Sequence, residues 1–428
     1  MRRAKYFHII KYPCCLLLCA GLGCLLLLVT GLDTPGGFFQ SRINGNIEQS
    51  VPLFEREGLY PNLLGQGTQS TKADNYSETL ILQSAMYTNT SKNPLNIFIN
   101  PFRGGSEGMV DHFIAASKGD PSNSSYFHYW QGFRAFVRPL LTIFDYSSIR
   151  ELIRFAGLFL FFVTSLVVYR NAGRKFAAIF CVSLLSIEYF IAATTIQYSI
   201  VFFIAMIAMI LLPVIIKKQW SIPLFFFITG AVTQFFDFYT VPCVTLGFPL
   251  IFLIELKSKD QTSAKKSHLR LIVFCILAWF GSYIGMWMIR LALVSLFLNI
   301  NAFVPVLDLV FKWTGVAKNE SYAYLGPFDG IKRSFHTAFT RTKKVLLISG
   351  IVCYVVFLAR AIHLRVIKKP NYLFLPSGII PIVWMIITAK ATAWHTHFQY
   401  RSVAVILFAC FSFALSVFDR DSTKKPHS

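Results

Sequence analysis

Apolar runs of about 20 residues, long enough to cross roughly 30 Å of hydrocarbon at about 1.5 Å per helical residue, recur along this chain and restrict it to one kind of fold. We place ten of them, near 13–31, 153–169, 176–193, 197–216, 221–239, 241–256, 271–291, 344–361, 373–390 and 402–418. Hydrocarbon offers no partner to an exposed N–H or C=O, so runs of this length must be helices. Charged residues make up only 14% of the 428, against about 25% in an ordinary soluble domain. The expectation is an all-α integral membrane protein of about ten transmembrane helices with a large folded first extracytoplasmic loop.

The net charge is +21, from 41 Lys and Arg against 20 Asp and Glu. In a soluble chain this would suggest nucleic acid; on a polytopic membrane protein it reports orientation first, and no nucleic-acid partner is expected. The short connections 1–12, 170–175, 217–220, 257–270 and 365–370, with the tail 419–428, hold about half of the basic residues. Only Glu255, Asp260, Asp419 and Asp421 lie in or beside them. That bias puts both termini in the cytoplasm. The implied divisions are a cytoplasmic N-terminus with the first helix (1–31), a large outer loop (32–152), helices two to seven (153–291), a second outer loop (292–343), the last three helices (344–418) and a cytoplasmic tail (419–428).

The start, MRRAKYFHIIKYP and an apolar run to Thr30, resembles a signal peptide but lacks a small-x-small cleavage pattern before Asp33, so we read it as an uncleaved span with a signal peptide as the alternative. All nine cysteines fall within apolar runs, and no disulfide framework is implied. Four glycosylation sequons, at Asn75, Asn89, Asn123 and Asn319, fall in the outer segments.

Charges within the spans are few, and three near the outer ends stand out: Glu188, Asp237 and Arg290. An ionisable residue in hydrocarbon costs a few kcal/mol on insertion scales, so each asks for a function or a partner. A transporter normally gathers such groups near the midplane; this chain gathers them at one surface, beneath its long loops. YFHYWQGFRAFVRPLL (126–141) sets Arg134 and Arg138 on one helical face. An aromatic, basic helix of that kind can lie in the interface and grip phosphate or anchor to head groups. WHTHFQYR (394–401) offers His395, His397 and Arg401. The histidines alternate, against a shared zinc ion, but each can reach a phosphate or sugar hydroxyl, or else anchor the interface with Trp394 and Tyr400. TKADNYSETLIL (71–82) reads either as a helix start capped by Asp74 or Asn75 with Glu78 closing a capping box, or as a pair of one-face carboxylates, one acting as general base.

SRINGNIEQSVPLFEREGLYPNLLG, ADNYSETLIL, YWQGFRAFVRPLL, QFFDFYTVPCVTLGFPL, GSYIGMWMIR and HTHFQYR together look like a family of uncharacterised polytopic proteins encoded with bacterial surface-polysaccharide genes, itself similar to the GT-C superfamily of membrane glycosyltransferases. The resemblance implies a GT-C-like fold in a bacterial plasma membrane. It also implies sugar transfer on the outer face, from a polyprenyl-phosphate donor to a glycan or lipid-linked acceptor, by an acidic residue of the first outer loop. By position the candidates are Asp74, Asp33 and Glu78; no Asp-x-Asp pair occurs in this loop, which leaves the choice among them open. Arg134, Arg138, Arg290 and Arg401, with His395 and His397, are candidates to hold the lipid phosphate, with Asp237 beside them and Glu188 orienting the arginines. Mg²⁺ or Mn²⁺ could serve, but no ligand spacing compels either. The rival class is a flippase or exporter of lipid-linked saccharide without chemistry; a non-catalytic scaffold subunit is a third.

Overall fold

The computed structural model describes residues 2–34, 36–64, 68–86, 99, 102–103, 109–119, 124–259, 265–314, 326, 328–363 and 370–418. The described chain is helical apart from a two-stranded ribbon that pairs Phe102–Arg103 with Ser124–Ser125. The sequons at Asn89, Asn123 and Asn319 and the tail 419–428 lie outside these residues.

The first helix, α1 (Arg2–Gly31), packs on the bundle and is followed in the chain by five short helices: α2 (Phe38–Glu48), α3 (Val51–Glu57), α4 (Asn75–Met86), α5 (Met109–Ser117) and α6 (Arg134–Leu141). Their apolar faces share a core of Ile43, Phe54, Ile81, Phe113 and Val137, which runs on into Tyr146 and Ile149 of α7 (Tyr146–Ala172). The bundle continues with α8 (Arg174–Leu185), α9 (Ile196–Lys217), α10 (Ile222–Phe236), α11 (Cys243–Ser258) and α12 (Lys265–Leu298). After α13 (Phe303–Thr314) and α14 (Asp329–Ala338), it closes with α15 (Arg341–His363), α16 (Phe374–Ile387), α17 (Ala389–Trp394) and α18 (Val403–Ser416).

Among the described residues, five stretches are long and apolar enough to cross a membrane: 10–31, 146–172, 196–217, 267–298 and 396–416. Each of the ten expected runs falls on a helix, but several helices are too short to cross alone. The run 176–193 is the clearest departure: α8 stops at Leu185, and Glu188 takes a left-handed conformation (φ 49°) before a single turn at Tyr189–Ala192. A left-handed residue cannot continue a right-handed helix.

Consecutive bundle helices run back and forth, so their ends collect at two poles. Gly31, Leu185, Phe236 and Leu298 end helices at the pole where Tyr146, Ile196, Cys243 and Val403 begin them. The small helices α2–α6, α13 and α14 connect at this pole, which we call the loop pole. The opposite pole carries Arg170, Arg174, Lys175, Lys217, Lys218, Lys257 and Lys259; there Lys259 Nζ donates to the Asn171 carbonyl (2.7 Å), tying α11 to α7. The body between is apolar, with Phe180, Phe202, Phe248, Phe252 and Phe408 buried together. The tightest seam joins α10 to α12: a Cβ at Gly230 would collide with the Trp279 carbonyl and the Ser282 hydroxyl, the close approach that small residues permit between membrane helices.

One buried ion pair clamps the loop-pole helices to α7. Arg150 Nη1 meets both Glu57 carboxylate oxygens at 2.8 and 2.9 Å, and its Nη2 donates to Asn75 Oδ1 (3.1 Å). Asn75 in turn donates to the Gly58 carbonyl (2.8 Å) and is fully buried, which leaves no room for a glycan on that sequon. Removing one partner strands a buried charge, at a cost of about 3–5 kcal/mol. Arg150→Ala should therefore lower the thermal midpoint in detergent sharply, whereas Arg150→Met with Glu57→Leu should recover most of the loss; equal midpoints for wild type and Arg150→Ala would show that the clamp contributes nothing.

Candidate functional site

Asp74 caps α4. Its Oδ1 accepts from the Ser77 N–H (3.0 Å) and its Oδ2 from the Ser77 hydroxyl (2.9 Å), satisfying a donor that the first turn leaves open. Its Oδ2 also lies 3.6 Å from His397 Nε2, just beyond hydrogen-bond length, a contact that is an ion pair only when the imidazole is protonated. Asp74 is 3% exposed and His397 7%. Burial alone would raise the Asp74 carboxyl, but the imidazole and the two Ser77 donors outweigh it and hold the group below the usual carboxylate range.

Glu78, expected to close a capping box on its own helix, caps another. Its Oε2 accepts from the Ile196 N–H (3.0 Å), its Oε1 from the Gln197 N–H (2.9 Å), and the Tyr146 hydroxyl donates to Oε2. These are the first amides of α9, which starts inside the molecule. Burial pushes the Glu78 carboxyl up, against the pull of these donors. Asp33 is likewise a cap: it accepts from the backbone N–H of Thr34 (2.7 Å), Phe39 (2.9 Å) and Gln40 (3.1 Å) at the start of α2, facing solvent. Of the three acidic candidates, only Asp74 meets a histidine.

The basic candidates divide into two groups. Arg401 is fully buried, donates to the His397 carbonyl (2.7 Å) and the Ser70 carbonyl (3.4 Å), and lies 4.5 Å from the centre of the Tyr198 ring. It belongs with Asp74 and His397. Arg134, Arg138 and Arg290 lie elsewhere. The helix expected to rest in the interface with Arg134 and Arg138 outward is turned the other way, and both guanidinium groups are 1% exposed. Arg138 donates to the carbonyls of Thr30 (2.8 Å) and Ala85, the open C-terminal carbonyls of α1 and α4. Arg290 donates to the carbonyls of Phe127 (3.2 Å) and Ile99 (2.6 Å). Burial brings Arg134 down to about 9, with Arg138 and Arg290 adding to the effect, and brings Arg138 down to about 10 against the pull of Asp33.

The remaining candidates have partners other than those expected. Asp237 accepts from the Thr240 N–H (3.0 Å) and hydroxyl, and from the Tyr283 hydroxyl (3.4 Å), holding the turn between α10 and α11. Among the described residues Glu188 pairs with Lys343 of α15, not with an arginine, and lies 3.1 Å from the Tyr400 hydroxyl. His395 stacks on Phe398 (ring centres 5.1 Å apart) and packs against Trp313 (5.3 Å). Burial among these rings, with His397 beside it, holds its imidazole down to about 4, so it stays neutral at physiological pH.

A cavity of about 550 Å³ lies where α14 meets α17 and the turn that follows it. His397 and Thr396 line one side with Trp394; Lys332, Arg333 and His336 line the other, with Asp329. The spacing of 329, 332, 333 and 336 puts four polar side chains on one face of α14. Arg333 Nη1 donates to the Ala393 carbonyl (3.3 Å) and the Asp329 carboxylate accepts from the Gly326 N–H (2.7 Å), while Lys332 and His336 stay exposed. Lys332 and Arg333 stand out in the sequence as a basic pair; Asp329 and His336 could have been found only by projecting the segment onto a helix. Among the described residues, no three of His, Cys, Asp and Glu converge as a metal-ligand set.

Comparisons with protein-family models, with curated proteins and with solved structures each return no match.

Because the folded state holds Asp74 below the unfolded carboxylate value of about 3.9, its stabilising contribution is complete above that value and fades as pH falls through the lower folded one. The gap in melting temperature between wild type and Asp74→Asn should stay constant from neutral pH down to about 4 and close only below it. A gap that closes near pH 6 would place the effect on another group.

Proposed function

We propose that this chain is a GT-C-like inverting glycosyltransferase of a bacterial plasma membrane, moving a sugar from a polyprenyl-phosphate carrier to a glycan or lipid-linked acceptor at the loop pole. The observation that carries the reading is the cavity whose wall sets His397, backed by buried Asp74, across from Lys332, Arg333 and His336. A base and an anion site facing each other across one volume are what transfer from a lipid phosphate requires.

In this scheme the acceptor hydroxyl lies against His397. The imidazole takes its proton, the acceptor oxygen bonds to the anomeric carbon, and the bond from that carbon to the phosphate oxygen breaks, leaving its electron pair on phosphate. Lys332 and Arg333 stabilise that charge, and the work is electrostatic because the cations are already in place. Asp74 does not line the cavity. Its part is to orient the imidazole and favour the protonated form that develops, so the histidine replaces the carboxylate as the proposed base. Arg401 holds the segment through the His397 carbonyl. The basic residues at the opposite pole support placing the loop pole outside.

His397→Ala and Asp74→Asn should each lower transfer by about 10²–10⁴-fold with membrane insertion unchanged, and Lys332→Ala should chiefly weaken donor binding. Full activity in both dyad variants removes them from the chemistry. Glycan analysis of a deletion strain tests the class: loss of one sugar linkage supports transfer, whereas finished polymer retained inside supports an exporter. Labelling of Leu64→Cys by an impermeant thiol reagent in intact cells tests the sidedness, and labelling seen only after lysis would rule out an outward-facing donor.

A further inference from the structure

A second cluster at the loop pole is unlike both the apolar core and the basic cavity. Tyr126 and Tyr129 before α6, Phe238 and Tyr239 after α10, and Trp287 of α12 come together from three parts of the chain. Ring centres lie 5.5 Å apart for Tyr126 and Tyr129, 5.0 Å for Tyr129 and Phe238, 5.3 Å for Tyr129 and Tyr239, and 5.6 Å for Tyr239 and Trp287. The planes are inclined by 55–76°, so the rings meet by their edges and do not cover one another's faces. All five keep part of their surface exposed, whereas core aromatics such as Phe180 and Phe248 are buried.

Three glutamines that are at least 98% buried surround the cluster. Gln131 Nε2 donates to the Tyr126 carbonyl (2.7 Å), Gln234 Nε2 to the Tyr239 hydroxyl (3.4 Å) and Gln399 Nε2 to the Tyr239 carbonyl (2.9 Å). Each amide is therefore anchored on the aromatic residues through its nitrogen. Each side-chain oxygen, Gln131 Oε1, Gln234 Oε1 and Gln399 Oε1, meets no donor among the described residues. Buried acceptors are normally satisfied, and three left open around one cluster ask for a ligand with several hydroxyls. Gln131 (φ 56°) and Tyr239 (φ 58°) also hold left-handed backbone, a strain that side-chain-bearing residues keep where the surroundings over-determine it.

We propose that this aromatic cleft is a saccharide-binding site. Its part-exposed rings offer apolar surface to the C–H face of a pyranose, and the amide oxygens, enclosed in the free structure, accept from hydroxyls once a part-exposed ring turns aside. The cluster carries no lysine, which separates it from the cavity lined by Lys332 and Arg333. Gln399 at the cleft and His397 at the cavity stand two residues apart in the chain, so one short segment carries a residue of each site. The acceptor role rests on the transferase reading; saccharide binding itself does not.

The test uses the full chain in detergent and the methyl glycosides of glucose, galactose, mannose, N-acetylglucosamine and rhamnose, followed by saturation-transfer NMR and tryptophan fluorescence. At least one glycoside should bind saturably to wild type, and Gln234→Leu and Tyr129→Leu should weaken it at least tenfold, with the exposed, distant Lys118→Ala unchanged. Should a cleft variant fail to fold, a diazirine derivative of the bound glycoside on wild type decides: cross-links within 126–131 or 234–239 support the site, and cross-links confined to 332–336 overturn it. No saturable binding by any of the five, or binding that both variants leave intact, also overturns it. Lost transfer with retained glycoside binding counts against the transferase reading alone, whereas retained transfer without binding counts against the cleft alone.

Discussion

A helix that begins in the interior needs its first amides satisfied, and the whole loop pole is organised around meeting that need for α9. The Ile196 and Gln197 N–H groups point into protein rather than water, and Glu78 takes both. A carboxylate suits the position because the helix N-terminus carries partial positive charge. Glu78 sits on α4, so the contact ties the small helices to the bundle at a fixed register, with Tyr146 of α7 as a third point. One turn earlier on α4 stands Asp74, whose carbonyl accepts the Glu78 N–H (3.1 Å). The Glu78 contact thereby also fixes Asp74 against His397.

The same demand accounts for the arginines. Helix C-termini leave carbonyls open, and at the loop pole several of these ends are buried. Arg138 reaches two of them at once, Thr30 on α1 and Ala85 on α4. A guanidinium, with five donors in a rigid fork, can join such carbonyls where an ammonium would reach fewer. Arg290 likewise donates to backbone carbonyls, those of Phe127 and Ile99. The basic side chains that line the cavity are Lys332 and Arg333 on α14, with His336 beside them.

The sequence made some of this readable and hid the rest for a definite reason. Long apolar runs mark helices because hydrocarbon permits little else, and Asp74 was visible as a cap because its partner, Ser77, is three residues away. Glu78 was misread because its partners lie 68 and more than 100 residues off; proximity along the chain favoured a local capping box that does not form. His397 was recognised, but its contact with Asp74 depends on folding the two ends of the chain together. The third span was drawn unbroken because apolarity continues through Ile187–Ile191, while the break is a backbone event at Glu188 fixed by Lys343 and Tyr400.

The seam at Gly230 has a mechanical consequence. With the Gly230 backbone set against the Trp279 carbonyl, α10 and α12 come closest at that point, and any larger residue at 230 would force them apart. Room for a bulky ligand at the loop pole would therefore have to come from helices other than this pair.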